Sequence, residues 1–359
     1  MFIGLSHGGT TIYSSPSRPD EVWVGTKEGI VVIERAAGGD GWSIARRLIE
    51  DKHISAILTE PESGLTFVGA FHGSVHVTAD GGKTWEARNS GLTEHDVYSL
   101  AAVRHNDGTR LYLGTEPAHI FCSDDLGRHW RELPNMRSVP SVPKWKFPVP
   151  PHIAHTKHIT FAPGDPKTVY ACIEVGALLR SRDAGETWEQ LEGVYEDVHR
   201  LAIHPKDPNR LYVVTGHGLY VSSDGGASFE QWVARPSPIA GYPDGIVIHP
   251  RKPELMFLGA ADAGPGTWMK THYAGAKISR SKDGGRNWEM LQNGLPERMQ
   301  ASIEAFCLDD WGGSASLFAA TTSGDVYCSD DAGEHWNRII KGLAPISKGG
   351  HYEALTVAV

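Results

Sequence analysis

Eighteen histidines stand among 43 Asp and Glu residues in this chain of 359. Imidazole and carboxylate together are the ligand set of Zn, Fe, Mn or Cu at an open catalytic site. The densest run is His152-Ile-Ala-His155-Thr-Lys-His158, and His72 and His217 share a local pattern, Phe-His-Gly and Gly-His-Gly. We take His72, His158, His199 and His217 as candidate ligands of a divalent metal, with no organic cofactor expected. Glu174, Glu304 and Glu353 are the candidate catalytic bases, because a carboxylate beside a metal-activated water can take its proton. Trp145, Trp268, Tyr242 and Tyr273 read as substrate-binding with Arg200, since aromatic faces over a polar cup suit a sugar ring or an aromatic substrate. No HxxH or HExxH spacing groups these residues, so the fold has to bring them together.

The elements that must do so are repeated. A Ser/Thr-x-Asp-x-Gly-x-x-Trp/Phe motif recurs at 78–85, 123–130, 181–188, 222–229, 281–288 and 329–336, with a degenerate copy at Gly38-Gly39-Asp40-Gly41-Trp42. The Asp carboxylate can cap backbone N–H groups of the turn after it. The Gly permits positive φ, and the aromatic ring starts a return strand packed inward. Before each box lies a pair of alternating strands around a Gly-containing turn, as in Leu211-Tyr-Val-Val-Thr-Gly-His-Gly-Leu-Tyr-Val221. Further upstream comes an inner-strand unit ending in proline, as in Leu201-Ala-Ile-His-Pro205 and Ile246-Val-Ile-His-Pro250. Four strands per repeat make one propeller blade.

The motif resembles the Asp-box, or BNR, repeat of sialidases and related β-propellers, and the resemblance runs along nearly the whole chain. It implies an all-β chain folded as a single seven-bladed β-propeller, with four antiparallel strands per blade. The expected blades span about 8–52, 53–95, 96–156, 157–197, 198–244, 245–301 and 302–351, with a C-terminal strand at 352–359 closing the ring. Thr11-Ile-Tyr13 and Tyr352-Glu-Ala-Leu-Thr-Val357 compete for the innermost place in the first blade. On this map the boxes lie on the bottom face and are structural. Twelve of the 18 histidines fall on the opposite, top face. Aligned inner strands put Ser55, Tyr98, Lys157, His199, Asp244, Glu304 and Glu353 in a ring at the mouth of the central channel. The longest insertions, 134–156 and 261–277, map to the same face, where binding function concentrates.

A net charge of −9 argues against a nucleic-acid surface. No apolar run reaches the roughly 20 residues a membrane helix needs. Four cysteines do not make a disulfide scaffold, and we expect them to be reduced packing residues of a soluble, cytoplasmic protein. The resemblance is to small bacterial Asp-box proteins of glycosyl hydrolase or sialidase-like type, and implies a small-molecule or carbohydrate substrate. Sialidases add an arginine triad, a Tyr–Glu pair and an Asp acid, and their Phe/Tyr-Arg-Ile-Pro signature is missing here. The leading expectation is an enzyme, a hydrolase or lyase, using a divalent metal in the top central pocket. A metal-free glycoside hydrolase using mouth carboxylates is the second reading. The third is a non-catalytic binding propeller with a protein partner, like the assembly factors of photosynthetic complexes.

Overall fold

The computed structural model describes residues 2–105 and 108–346; the expected closing strand at 352–359, with Glu353, lies outside them. Seven sheets follow one another along the chain. Blade 4 is representative: His155–Ala162, Asp165–Glu174, Ala177–Ser181 and Glu189–Leu191 pair antiparallel in that order. The chain is thus an all-β, seven-bladed propeller with four strands per blade. Neighbouring blades meet through apolar side chains that alternate along each inner strand. In blade 5 (Val198–Ile203) Val198 and Leu201 join Tyr170, Cys172 and Leu178 of blade 4, whereas Ala202 packs against Ile246 and Met256 of blade 6. All four cysteines are buried free thiols.

Each Asp box is a closed hydrogen-bonded turn. In blade 2, Thr78 Oγ1 donates to Asp80 and accepts from the Gly82 N–H, while Asp80 accepts from the Thr84 N–H at 2.9 Å. Trp85 Nε1 then donates to the Gly82 carbonyl. The same set recurs at Asp183 and Asp283. With Thr84 Oγ1 donating to the other oxygen, both oxygens of Asp80 are engaged by the turn itself, as a structural box requires.

The first blade departs from the expected pattern. Its innermost strand is Ile3–Leu5, which runs parallel to Glu21–Thr26. Ile12–Tyr13 instead adds to blade 7, parallel to its inner strand Ile303–Asp310. The N-terminal chain therefore passes from the first blade to the last and ties the ring at its seam.

Between these two strands, residues 6–11 form a strap along the channel. Gly8 N–H donates to the Ser55 carbonyl, and the Gly8 carbonyl accepts from Leu100 N–H. Ser6 Oγ accepts from Ile57 N–H, and the Thr11 carbonyl accepts from Leu308 N–H. The strap thus engages the free inner edges of blades 2, 3 and 7. A Cβ on Gly8 would lie 1.9 Å from the Tyr98 carbonyl oxygen, so only glycine fits this approach.

Candidate functional site

The inner strands do not run straight. The ladder slips by one residue at Ser55, Tyr98, Lys157, His199, Asp244 and Glu304, in blades 2 to 7 respectively. A bulge leaves one residue unpaired and re-aims its side chain. Repeated at one level in six blades, it turns a ring of side chains toward the top of the channel. Ser55 caps the Gly69 and Val97 carbonyls. The other five join one buried polar network.

Lys157, fully buried, sits between two carboxylates: its Nζ is 2.9 Å from Glu174 Oε1 and 2.5 Å from Asp244 Oδ1. Glu174 ends the second strand of blade 4, and its other oxygen meets His155 Nε2 at 2.5 Å. The His155 ring stacks on Tyr98 with centroids 3.9 Å apart, and its Nδ1 lies 3.4 Å from Glu116. Burial works against a proton on His155, but the Glu174 and Glu116 carboxylates outweigh it and raise its pKa.

His199 Nδ1 lies 2.6 Å from the Pro243 carbonyl, an acceptor only, so Nδ1 carries the hydrogen. Its Nε2 faces Tyr242 Oη at 3.1 Å, Asp197 Oδ2 at 3.3 Å and Glu174 Oε1 at 3.9 Å. Burial pushes the Asp197 carboxyl up, yet its interaction with the His199 ring outweighs this and holds it below the usual range. Ligand atoms of Glu174, Asp197 and His199 lie within 4.8 Å of one another, and so do those of His7, Asp244 and Glu304. A histidine whose Nδ1–H is fixed by a carbonyl, with Nε2 turned to carboxylates, has the usual form of a metal ligand. The second grouping was not anticipated, because His7 arrives on the strap, with Nδ1 3.0 Å from the Glu304 carbonyl.

The four expected metal ligands do not share a centre. Among the described residues only His199 belongs to a ligand grouping. His72 is exposed and pairs with Asp96 at 2.7 Å. His217 is exposed and stacks on Tyr195 at 3.6 Å. Both sit on turns after the second strands of their blades, and neither belongs to a ligand grouping among the described residues. His158 follows the bulge, and its Nδ1 accepts from Leu201 N–H on the channel wall.

The aromatic candidates divide in the same way. Tyr242 is in the centre, donating to Asp197. Trp268, on the short helix Pro265–Thr271, is buried against Tyr242 and Phe147 and forms a lid with them over the network. Trp145 is no open platform: it donates to Ser141 and packs on the blade 4 turn, pinning its own loop. Tyr273 stands at the rim with the Arg298 guanidinium 5.2 Å above its ring. Arg200 is buried, with Nη2 on the His7 carbonyl at 2.7 Å. Of the bases, Glu174 and Glu304 are both buried in the network. The additional members are His7, His155, Lys157, Glu116, Asp197 and Asp244.

Two family models match parts of this chain: sortilin, neurotensin receptor 3, over residues 176–305, and photosynthesis system II assembly factor YCF48 over residues 36–155. Both are propellers of BNR type, which is the repeat described above. Among characterised proteins, a probable oligoxyloglucan-reducing end-specific xyloglucanase of Neosartorya fischeri is 26% identical over 199 residues, or 49% of this chain and 23% of its own. Xyloglucanase Xgh74A of Acetivibrio thermocellus is 28% identical over 212 residues, 49% of this chain and 24% of its own. The chain spans about a quarter of the length of these relatives. In fold it resembles the GH74 xyloglucanase from Xanthomonas campestris, with a TM-score of 0.66 and 16% identity over 94% of this chain and 55% of the other. It also resembles YCF48 bound to D1 peptide, with a TM-score of 0.51 and 18% identity over 78% of this chain and 80% of the other.

Proposed function

We propose that this protein is a hydrolase acting on a carbohydrate or similar polar small molecule at the top of its channel. The observation that carries this reading is the level ring of six bulges. Each gives up ladder pairing, and five of them bring an ionisable side chain into one buried centre. A ring that only had to close would gain nothing from this. The xyloglucanases among its relatives support hydrolysis of a glycosidic bond as the reaction class.

In this reading Glu174, held at both oxygens by Lys157 and His155, and Asp197, held by Tyr242, face one reacting position in front of His199 Nε2. Asp197, ionised, accepts the proton of the attacking water. His155, with its raised pKa, is the reservoir from which Glu174 passes a proton toward the leaving group. A divalent cation suits the same position, where Glu174, Asp197 and His199 would hold it. Its chemistry there would be to polarise the bound water or substrate oxygen.

The donor set supports the cation: Glu174, Asp197 and His199 bring two carboxylates and an imidazole within 4.8 Å of one another, the ligand chemistry of a divalent transition metal. The test is hydrolysis of aryl glycosides and xyloglucan oligosaccharides by protein purified without chelator, before and after chelation. Turnover that chelation removes is expected; turnover that survives it would move the chemistry to the carboxylates alone.

A second reading is a non-catalytic binding propeller. It is favoured by the lid of Phe147, Tyr242 and Trp268 over the centre and by the match to the assembly-factor model. Failure to hydrolyse any such substrate, with saturable binding of a peptide, would select it.

A further inference from the structure

Below the polar centre lies a cavity of about 170 Å³. Its walls are the lower halves of the inner strands of blades 4, 5 and 6, together with Thr11 of the strap and Ile12 of the strand after it. Most of the lining is apolar, including Ile12, Phe161, Ile203 and Val247, and it reaches Pro163, Pro205 and Pro250 at the bottom rim. Four side chains break that pattern: the hydroxyl-bearing Thr11 and Thr160, and the nitrogen donors Arg200 and His158.

Arg200 is 5% exposed. One of its nitrogens, Nη2, is used on the His7 carbonyl, but Nη1 is buried without a hydrogen-bond partner, and the guanidinium makes no ion pair among the described residues. Asp244, a carboxylate whose charge acts on it, is paired with Lys157. A buried guanidinium left in this state is expensive, because the donor has lost its water and gained no acceptor in return. His158 presents the complementary half. Its Nδ1 accepts from Leu201 N–H, so its remaining nitrogen is an N–H donor in the neutral ring. Burial and the Arg200 charge hold its pKa well below the ordinary value, which keeps that neutral form at pH 7.

We propose that this lower cavity is a binding site for a small organic carboxylate, with Arg200 taking the anionic group, His158 donating beside it, and the apolar wall enclosing the carbon body. The size fits: a protein cavity of about 150 Å³ holds benzene. The charge fits too, because one guanidinium without an ion pair matches a monoanion, whereas a phosphate dianion would need further cations that the wall lacks. The site opens away from the aromatic lid, so it is separate from the centre above and does not depend on the hydrolase reading.

The test uses sodium benzoate as probe on the full chain, treated with chelator so that no metal at the top can take the anion. Calorimetry is expected to show one saturable site, and the His158 ring resonances are expected to shift and to titrate at higher pH in the complex. Arg200→Gln should weaken binding at least about tenfold, equivalent to ~1.4 kcal/mol. If Arg200→Gln does not fold, Ala202→Phe, which fills the cavity and keeps the guanidinium, should abolish binding. No heat and no His158 shift up to about 20 mM, beyond the range expected of one charge-assisted pair, would overturn the proposal. So would binding unchanged in both variants, and binding of phosphate with none of benzoate would overturn the carboxylate class.

Discussion

Lys157 is the residue on which the polar centre most depends. Fully buried, it is the only permanent cation in contact with both Glu174 and Asp244 among the described residues. Lys157→Met would keep the volume and leave two buried carboxylates without it. A loss of about 3–5 kcal/mol in urea unfolding is expected, the size seen when one partner of a buried pair is removed; a change within 1 kcal/mol would mean that the pair is solvated. His72 and His217 are expected to matter little. Their exposed rings pair with Asp96 and Tyr195, so His72→Ala and His217→Ala should leave metal content unchanged by elemental analysis. At this scale the sequence was informative about level and not about contact. Aligning the inner strands ranks Lys157, His199, Asp244 and Glu304 at one height, but which of them touch depends on bulges that carry no residue signature. His7 was legible only as a top-face histidine, because the strap that carries it belongs to no repeat.

The elements themselves follow from local chemistry. In the boxes, hydrogen bonds from Thr84 and Ser228 hold Asp80 and Asp224 at about 2, and bonds from Asn287 do the same for Asp283. A carboxyl depressed below its unfolded value of 3.8 adds stability above that pH and loses it as pH falls through the folded value. The melting temperature should therefore be nearly flat in its box contribution above about pH 4.5 and fall steeply between about pH 4 and 2. Asp80→Asn should flatten part of that fall. The box motif was readable because Ser/Thr, Asp, Gly and Trp each answer to a separate requirement of the turn. The strap was not: Thr11-Ile-Tyr13 has a strand's composition, and nothing local says that it pairs with blade 7 instead of blade 1. Gly8 gives the check. Gly8→Ala places a methyl group on the Tyr98 carbonyl, and a drop of several degrees in melting temperature is expected from displacement of the strap. An unchanged melting temperature would mean that the strap does not lie in the channel.

Across the whole molecule, the strap and the bulges serve one arrangement. The repeat builds seven near-equivalent blades around an axis, and a closed ring of equivalent strands would leave their inner edges free. Here the N-terminal strap satisfies several of those edges, ties blade 1 to blade 7, and runs along the channel from His7 in the polar centre to Thr11 at the lower cavity. The seam is reinforced from outside by Arg35, which pairs with Asp330 at 2.9 Å and covers Trp42. The blade count was legible because the box repeats; the filling of the channel was not, since it is done by a segment outside the repeat. The lid of Trp268, Phe147 and Tyr242 likewise comes from insertions, whose mutual packing no periodicity encodes.

The most direct test of the account is the turnover of aryl glycosides and xyloglucan oligosaccharides by Glu174→Gln protein beside wild type, with both folded at the assay temperature. Glutamine keeps the size of Glu174 and its place between Lys157 and His155 but has no carboxylate to carry a proton. The account predicts that wild-type turnover falls about 100-fold or more. Equal turnover in the two proteins would contradict it and place the chemistry elsewhere on the propeller.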